Sequence, residues 1–386
     1  MPLKVCIATG GRADYGLLKK LIFLIKKDSH FKLQTVVTGS HLYKKYGYTI
    51  NEIINDQIKI DKKIFLKISS DTPTKICEAV SIGVRKFSLA LNELKPDLLI
   101  VLGDRYEIFS LVVSAHIMGI PIAHLHGGET TEAAIDEAFR HSITKMSDIH
   151  FVANKIYEKR VIQLGENKKN VFLVGGLGVD QINNKKLYSQ KEVEKILKIK
   201  FKRKNILITY HPETIKNKKS ANDITPVLKS LKKLKDTNLI FTIPNSDTHN
   251  LLIYKKIYAF VKDNKNSFLY KSLGHKLYLS TIRFVDCVIG NSSSGLSEVP
   301  IFKKPTINIG DRQKGRVKVK SIIDVKNNSK IISNVIRKID DPKFINSIKD
   351  VISPYGKGGA GKKIIKILKT VNTKNIKLKK FFDLNF

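Results

Sequence analysis

Along most of the chain, short runs that are apolar at nearly every position alternate with longer stretches in which apolar residues recur every three or four positions. The runs at residues 3–8, 33–38, 98–102, 120–125 and 149–152 predict strands, and residues 16–27, 74–94, 108–118 and 136–146 predict helices. A strand without polar alternation is buried on both faces, so this order predicts a parallel sheet covered by helices on both sides. The pattern then repeats: strands at 205–209, 239–243, 285–289 and 305–309, with helices at 224–234, 251–261, 276–283 and after Asn291. Between the two series lies a polar, Lys- and Asn-rich stretch, 183–204. The expectation is an α/β protein with two Rossmann-like, doubly wound domains facing a cleft, residues 1–180 and 181–359. A C-terminal segment, 360–386, packs back on the first domain; its helix spans 360–371 and its Lys-rich part, 374–380, reads as a solvated end. Ligands of such sheets are expected at the carboxyl ends of the strands.

The length of 386 residues suits two or three domains. Cys6, Cys77 and Cys287 are too far apart for a disulfide framework or a zinc cluster, and two of them sit inside predicted strands. No apolar run is long enough for a membrane span, and Met1-Pro2-Leu3-Lys4 leads into a strand; the expected location is the cytoplasm, with no membrane partner. Charge complicates this picture. Seventy Lys and Arg against 34 Asp and Glu give +36, which raises nucleic acid as a partner. The excess is mostly Lys scattered over polar positions, without interleaved stacking aromatics or an RNA-recognition signature, so no nucleic acid is expected. Five of the ten arginines, Arg12, Arg105, Arg140, Arg312 and Arg316, instead fall within motifs at predicted strand ends, where Arg suits fixed phosphate or carboxylate contacts.

The first strand runs into Thr9-Gly10-Gly11-Arg12-Ala13-Asp14-Tyr15-Gly16 before a helix, a turn fit for an anion. Its glycine spacing is not that of a dinucleotide fingerprint, and no acidic residue ends the second strand, which disfavours NAD. Asp104, in Gly103-Asp104-Arg105-Tyr106-Glu107, is placed either for catalysis or as a helix cap. His124-Leu125-His126-Gly127-Gly128-Glu129 puts two histidines on one predicted strand face, but a metal would lack its remaining ligands. Asp136 and Arg140 stand four apart on one helix, followed by His141. Beyond a second-series strand comes His211-Pro212-Glu213; later, Gly290-Asn291-Ser292-Ser293-Ser294-Gly295 opens a helix with hydroxyls, and Glu298 could accept ribose hydroxyls. Gly356-Lys357-Gly358-Gly359-Ala360-Gly361-Lys362-Lys363 imitates a phosphate loop. It lacks the Ser or Thr after its lysine and a preceding strand, and reads as a turn.

Together, these motifs and Gly310-Asp311-Arg312-Gln313-Lys314-Gly315-Arg316 resemble, in order over roughly residues 3–320, the hydrolysing UDP-N-acetylglucosamine 2-epimerases of the bacterial sialic acid branch. The resemblance implies two domains of the glycosyltransferase-B type, the second holding the nucleotide and the first facing the sugar, with no metal or redox cofactor. It implies conversion of UDP-N-acetylglucosamine to N-acetylmannosamine and UDP, with Asp104, His126, Glu129, Asp136, Arg140 and His211 in the catalytic set. Arg12, Arg105, His211, Asn245, Ser292, Ser293, Glu298 and Arg312 would then bind substrate. The implied partner is the nucleotide sugar, and the implied assembly a homodimer or a dimer of dimers. His126 stands where other relatives carry a glutamate. An epimerase acting on UDP- or GDP-linked N,N′-diacetylbacillosamine would carry nearly the same motifs, and a retaining glycosyltransferase would share the architecture.

Overall fold

The computed structural model describes residues 1–68, 70, 72–132, 135–184, 187–212, 223–243, 250–371 and 379–383. The chain divides into two compact units, the first formed by Met1–Glu129, Ile135–Asn183 and Tyr355–Phe386, the second by Thr130–Ala134 and Asn184–Pro354.

The first unit holds β1 (Leu3–Thr9), β2 (Phe31–Thr38), β3 (Lys62–Ile64), β4 (Leu98–Leu102), β5 (Ile122–Leu125), β6 (Ile149–Val152) and β7 (Val171–Leu173) in the order β3-β2-β1-β4-β5-β6-β7. All neighbours are parallel. Successive β1 side chains leave opposite faces. Val5 and Ile7 pack with Leu18, Leu21 and Ile22 of the helix Arg12–Lys27 and with Ile364 and Leu368 of the helix Ala360–Leu368. Cys6 and Ala8 pack on the other side with Phe87, Leu91, Leu111 and Val112. The second unit repeats the design with β8 (Lys204–Thr209), β9 (Thr237–Thr242), β10 (Ser267–Tyr270), β11 (Cys287–Gly290), β12 (Thr306–Ile309) and β13 (Ile322–Val325), all parallel, in the order β10-β9-β8-β11-β12-β13. These are two doubly wound α/β folds. Among the described residues no helix is long and apolar enough to cross a membrane.

Three departures from the sequence reading have physical causes. The helix predicted from Gly16 begins at Arg12, so the Arg-Ala-Asp-Tyr motif is its first turn rather than a loop. The alternation that would put His124 and His126 on one face stops at Leu125, because His126 turns the backbone with φ 65°. The C-terminal segment is helical only to Leu368, and Lys379 is anchored rather than solvated, donating to Lys145 O and Ser147 O at 2.6 Å each; residues 372–378 lie outside the described residues. In the imitation phosphate loop, the Asp180 carboxylate takes the place of an anion: it accepts from the amides of Gly359, Ala360 (3.0 Å) and Gly361 (2.7 Å) at the start of the final helix.

Three buried histidines tie the first unit's stability to pH. His124 lies between Gly103 O (2.8 Å) and Thr144 Oγ1 (3.2 Å), His41 between Thr9 Oγ1 (3.0 Å) and Thr49 Oγ1 (2.8 Å), and His150 against Glu166 (2.9 Å). Burial pushes His124 down to about 3 and His41 to about 4, and lowers His150. Below the unfolded value of about 6.5 the unfolded chain therefore binds more protons at these sites, and their contribution to stability falls as pH falls. Asp14, raised by burial to about 7, works in the opposite sense over the range below that pH. A difference isolates one histidine. Between pH 6 and 4, wild type should lose up to ~1.4 kcal/mol per pH unit more than His124→Gln, in urea unfolding free energy. Parallel pH dependences would show that His124 titrates normally in the fold.

Candidate active site

In the first unit the ends of β4 and β5 and the helix Asp136–Met146 converge on Arg140, which is buried to 1% exposure. Its Nη2 donates to Asp104 Oδ2; its Nη1 donates to Glu137 Oε2 at 2.7 Å and to Glu129 O at 3.0 Å. Asp104 therefore does not act as a helix cap: the Ncap of the following helix is Arg105, which makes no side-chain capping bond. Gly103, with φ 79°, turns the chain between β4 and Asp104, and its carbonyl is held by His124 Nε2 at 2.8 Å. His124 thus serves the scaffold behind Asp104 and has both ring nitrogens engaged.

His126 and Glu129 form the second part of this cluster. His126 Nδ1 lies 3.1 Å from Glu129 Oε1, and the Leu177 amide faces Nε2 at 3.5 Å, which fits an Nδ1–H tautomer. The left-handed backbone of a non-glycine residue is costly, and such conformations persist where the surroundings fix them, often at functional sites. Glu129 is buried and joins both parts, through its carbonyl to Arg140 and its carboxylate to His126. Asp136 is half-buried at the first position of the Arg140 helix. Glu137, three residues before Arg140 on that helix, pairs with it and also meets His141 Nε2 at 3.1 Å. Glu137 lies inside the Asp-Glu-x-x-Arg-His motif, and its i, i+3 and i, i+4 spacing was a signal for this double role.

At the end of β1, half-buried Arg12 starts its helix. Arg105 Nε donates to Glu107 Oε1 at 2.8 Å, and the Glu107 side chain lies so close to Gly10 that a Cβ there would sit 2.7 Å from it. Glu107 is a buried carboxylate that sequence reading passed over, although it closes the Gly-Asp-Arg-Tyr-Glu motif.

The second unit gathers its motif residues around Asn291, whose role the motif's residue types do not reveal. Its side chain clamps the His211 backbone, accepting from His211 N at 2.7 Å and donating to His211 O at 2.8 Å. Its carbonyl accepts from Arg312 Nη1 at 3.2 Å and from buried Gln313 Nε2 at 2.9 Å. Gly290 is required beside it, since a Cβ would overlap the Thr209 carbonyl. Ser292 and Ser293 precede a single helical turn, Ser294–Ser297, in which Ser294 Oγ meets Tyr278 OH. Glu298 follows that turn, is buried, and shares Oε1 with His275 Nε2 at 3.2 Å; His275 was absent from the sequence reading. Asn245 lies outside the described residues. Among those described, no group of three or more His, Cys, Asp and Glu is placed to hold a metal ion.

Residues 24–369 match the family model described as UDP-N-acetylglucosamine 2-epimerase. The chain is 42% identical over 383 residues to the GDP/UDP-N,N′-diacetylbacillosamine 2-epimerase (hydrolyzing) of Campylobacter jejuni, covering 99% of each. It is 38% identical to the polysialic acid biosynthesis protein P7 of Escherichia coli, covering 99% of this chain and 97% of that one. In fold it is similar to the UDP-GlcNAc 2-epimerase of Neisseria meningitidis solved with bound UDP-GlcNAc, with a TM-score of 0.83 at 19% identity over 96% of this chain and all of that one.

Proposed function

This chain belongs to the UDP-N-acetylglucosamine 2-epimerase family, and we propose that it is a hydrolysing 2-epimerase that cleaves a nucleotide-linked N,N′-diacetylbacillosamine with inversion at C2. The observation that carries the reaction class is the buried Arg140 held between Asp104 and Glu137 beside the His126–Glu129 pair: several acid/base groups gathered at neighbouring strand ends. The substrate follows the Campylobacter relative, at 42% identity over nearly the whole chain. This shifts the sugar from the N-acetylglucosamine expected from sequence. Similarity to protein P7, named for polysialic acid synthesis, keeps UDP-N-acetylglucosamine as the second reading.

The sugar's C2–H is not acidic by itself, since no carbonyl stands next to C2. As the nucleoside diphosphate leaves C1, positive charge builds there and C2–H becomes removable by a carboxylate or imidazole. Anti elimination yields the 2-acetamido glycal of the bound sugar, its other substituents unchanged, and the free diphosphate. Water then adds its oxygen to C1 while a proton reaches C2 from the opposite face, leaving the 2-epimer of the sugar. Two faces require at least two positioned acid/base groups. Asp104, Asp136 and the His126–Glu129 pair take these roles, with Arg140 orienting the carboxylates. His211 and Arg12 serve the diphosphate, with Arg105 and Arg312 as further cations, and Ser292, Ser293 and Glu298 the nucleoside.

Incubation with UDP- and GDP-diacetylbacillosamine and with UDP-N-acetylglucosamine, followed by identification of released sugar and nucleotide, tests the proposal. Preferential release of the diacetamido 2-epimer supports it; release of N-acetylmannosamine alone establishes the second reading; cleavage of none removes both. Glu298→Ala should weaken UDP binding by about 1–3 kcal/mol, because a charged acceptor is lost from the nucleoside site. Unchanged affinity by calorimetry would move the nucleoside away from Glu298.

A further inference from the structure

The helix Asp136–Met146 presents Arg140 to Asp104, with Glu137 on the same guanidinium, and its last turn is held by a side chain from the far end of the chain. Lys379 Nζ donates to Thr144 O (3.3 Å), Lys145 O (2.6 Å) and Ser147 O (2.6 Å), and pairs with Glu166 Oε2 at 2.6 Å. The other Glu166 oxygen accepts from Lys145 Nζ at 2.8 Å, and His150 Nε2 approaches Oε2 at 2.9 Å. Terminal helix carbonyls lack intrahelical donors and carry the negative end of the helix dipole, so an ammonium there satisfies both needs. The segment is fixed by more than Lys379. Phe382 N donates to Gly165 O at 3.0 Å, and the Phe381 ring covers Gly165, where a Cβ would overlap it, and lies 4.9 Å from the Lys145 ammonium.

The same turn connects directly to the candidate site. Thr144 Oγ1 donates to Arg140 O at 3.1 Å and faces His124 Nδ1 at 3.2 Å, while His124 Nε2 holds the Gly103 carbonyl next to Asp104. We propose that Lys379 is a positioning residue for the reaction: by tying the last turn of this helix to Glu166, it fixes the helix at the place where Arg140 meets Asp104. The proposal rests on Asp104 being an acid/base group, as read above. Misplacement of a reacting group by a fraction of an ångström lowers turnover without weakening substrate binding, which separates positioning from nucleotide recognition.

The test uses the full-length protein with Lys379→Met, Lys379→Arg and Phe381→Ala. Two readouts are taken: steady-state kinetics on the nucleotide sugar that wild type cleaves, and amide hydrogen exchange over residues 136–146. Lys379→Met should lower kcat by about 10- to 30-fold with KM within about twofold, and should speed exchange in the helix; Lys379→Arg should recover most of the loss. Phe381→Ala, which removes a ring 65% exposed in the fold, should lower kcat by roughly threefold. A folded Lys379→Met protein with wild-type kcat, or one whose loss lies in KM, overturns the proposal. If that variant does not fold, Phe381→Ala decides, and wild-type kcat in it overturns the proposal. If wild type cleaves no nucleotide sugar, the functional reading fails; helix exchange, which needs no substrate, still judges the tether, and unchanged exchange in these variants refutes it.

Discussion

Asp104→Asn lowers turnover by roughly 10² to 10⁴ while the fold and UDP affinity persist. Asparagine has the same size and keeps an oxygen for Arg140 Nη2, so the contact that positions the side chain can survive. It loses the ability to take up and return a proton. The helix start is unaffected, because Asp104 does not cap it. The check is kcat and KM on the cleaved nucleotide sugar, with UDP calorimetry on the same preparation. Turnover within a few-fold of wild type would strike Asp104 from the acid/base set and leave it a partner that orients Arg140.

Arg140→Met and Arg140→Lys should separate the stability of the cluster from its chemistry. Methionine leaves Asp104 and Glu137 close together without their shared cation, and the Glu129 carbonyl without that donor. Breaking a buried ion pair by removing one partner costs ~3–5 kcal/mol; with the two carboxylates 21% and 24% exposed, water recovers part of this, and ~2–4 kcal/mol is expected. Lysine keeps the charge but offers a single ammonium in place of a planar fork reaching three acceptors on separate segments. Arg140→Lys should therefore unfold within about 1–2 kcal/mol of wild type yet lose roughly 10²-fold or more in kcat. Urea unfolding and steady-state kinetics measure both. Full activity in Arg140→Lys would mean that charge alone, not the forked geometry, is what the site uses.

The fold was legible where burial is complete. Strands β1, β4, β5 and β11, buried at most or all positions, stand out as apolar runs. The four strands without a sequence signal, β3, β7, β10 and β13, are the outer strands of the two sheets. Each has three or four residues and only one or two buried positions, too few to distinguish a strand from a loop. At the candidate site, residue type and spacing single out Arg140, His126 and Glu129, and the fold places them in contact, Arg140 with the Glu129 carbonyl and His126 with the Glu129 carboxylate. Partners such as His275 for Glu298 and Lys379 for Glu166 come from distant segments, and local pattern carries no information about them. His124 was misjudged for another reason: period-two alternation holds only while the backbone stays extended, and His126 leaves it.

Turnover in heavy water, with the product's C2 position and the released nucleotide analysed together, tests elimination followed by hydration most directly. The account predicts one deuterium at C2 of the inverted sugar for each nucleoside diphosphate released, because the new C2 proton comes from an exchangeable group. An inverted product without deuterium at C2, formed at the normal rate, would contradict it, since the hydrogen would then have stayed with the sugar.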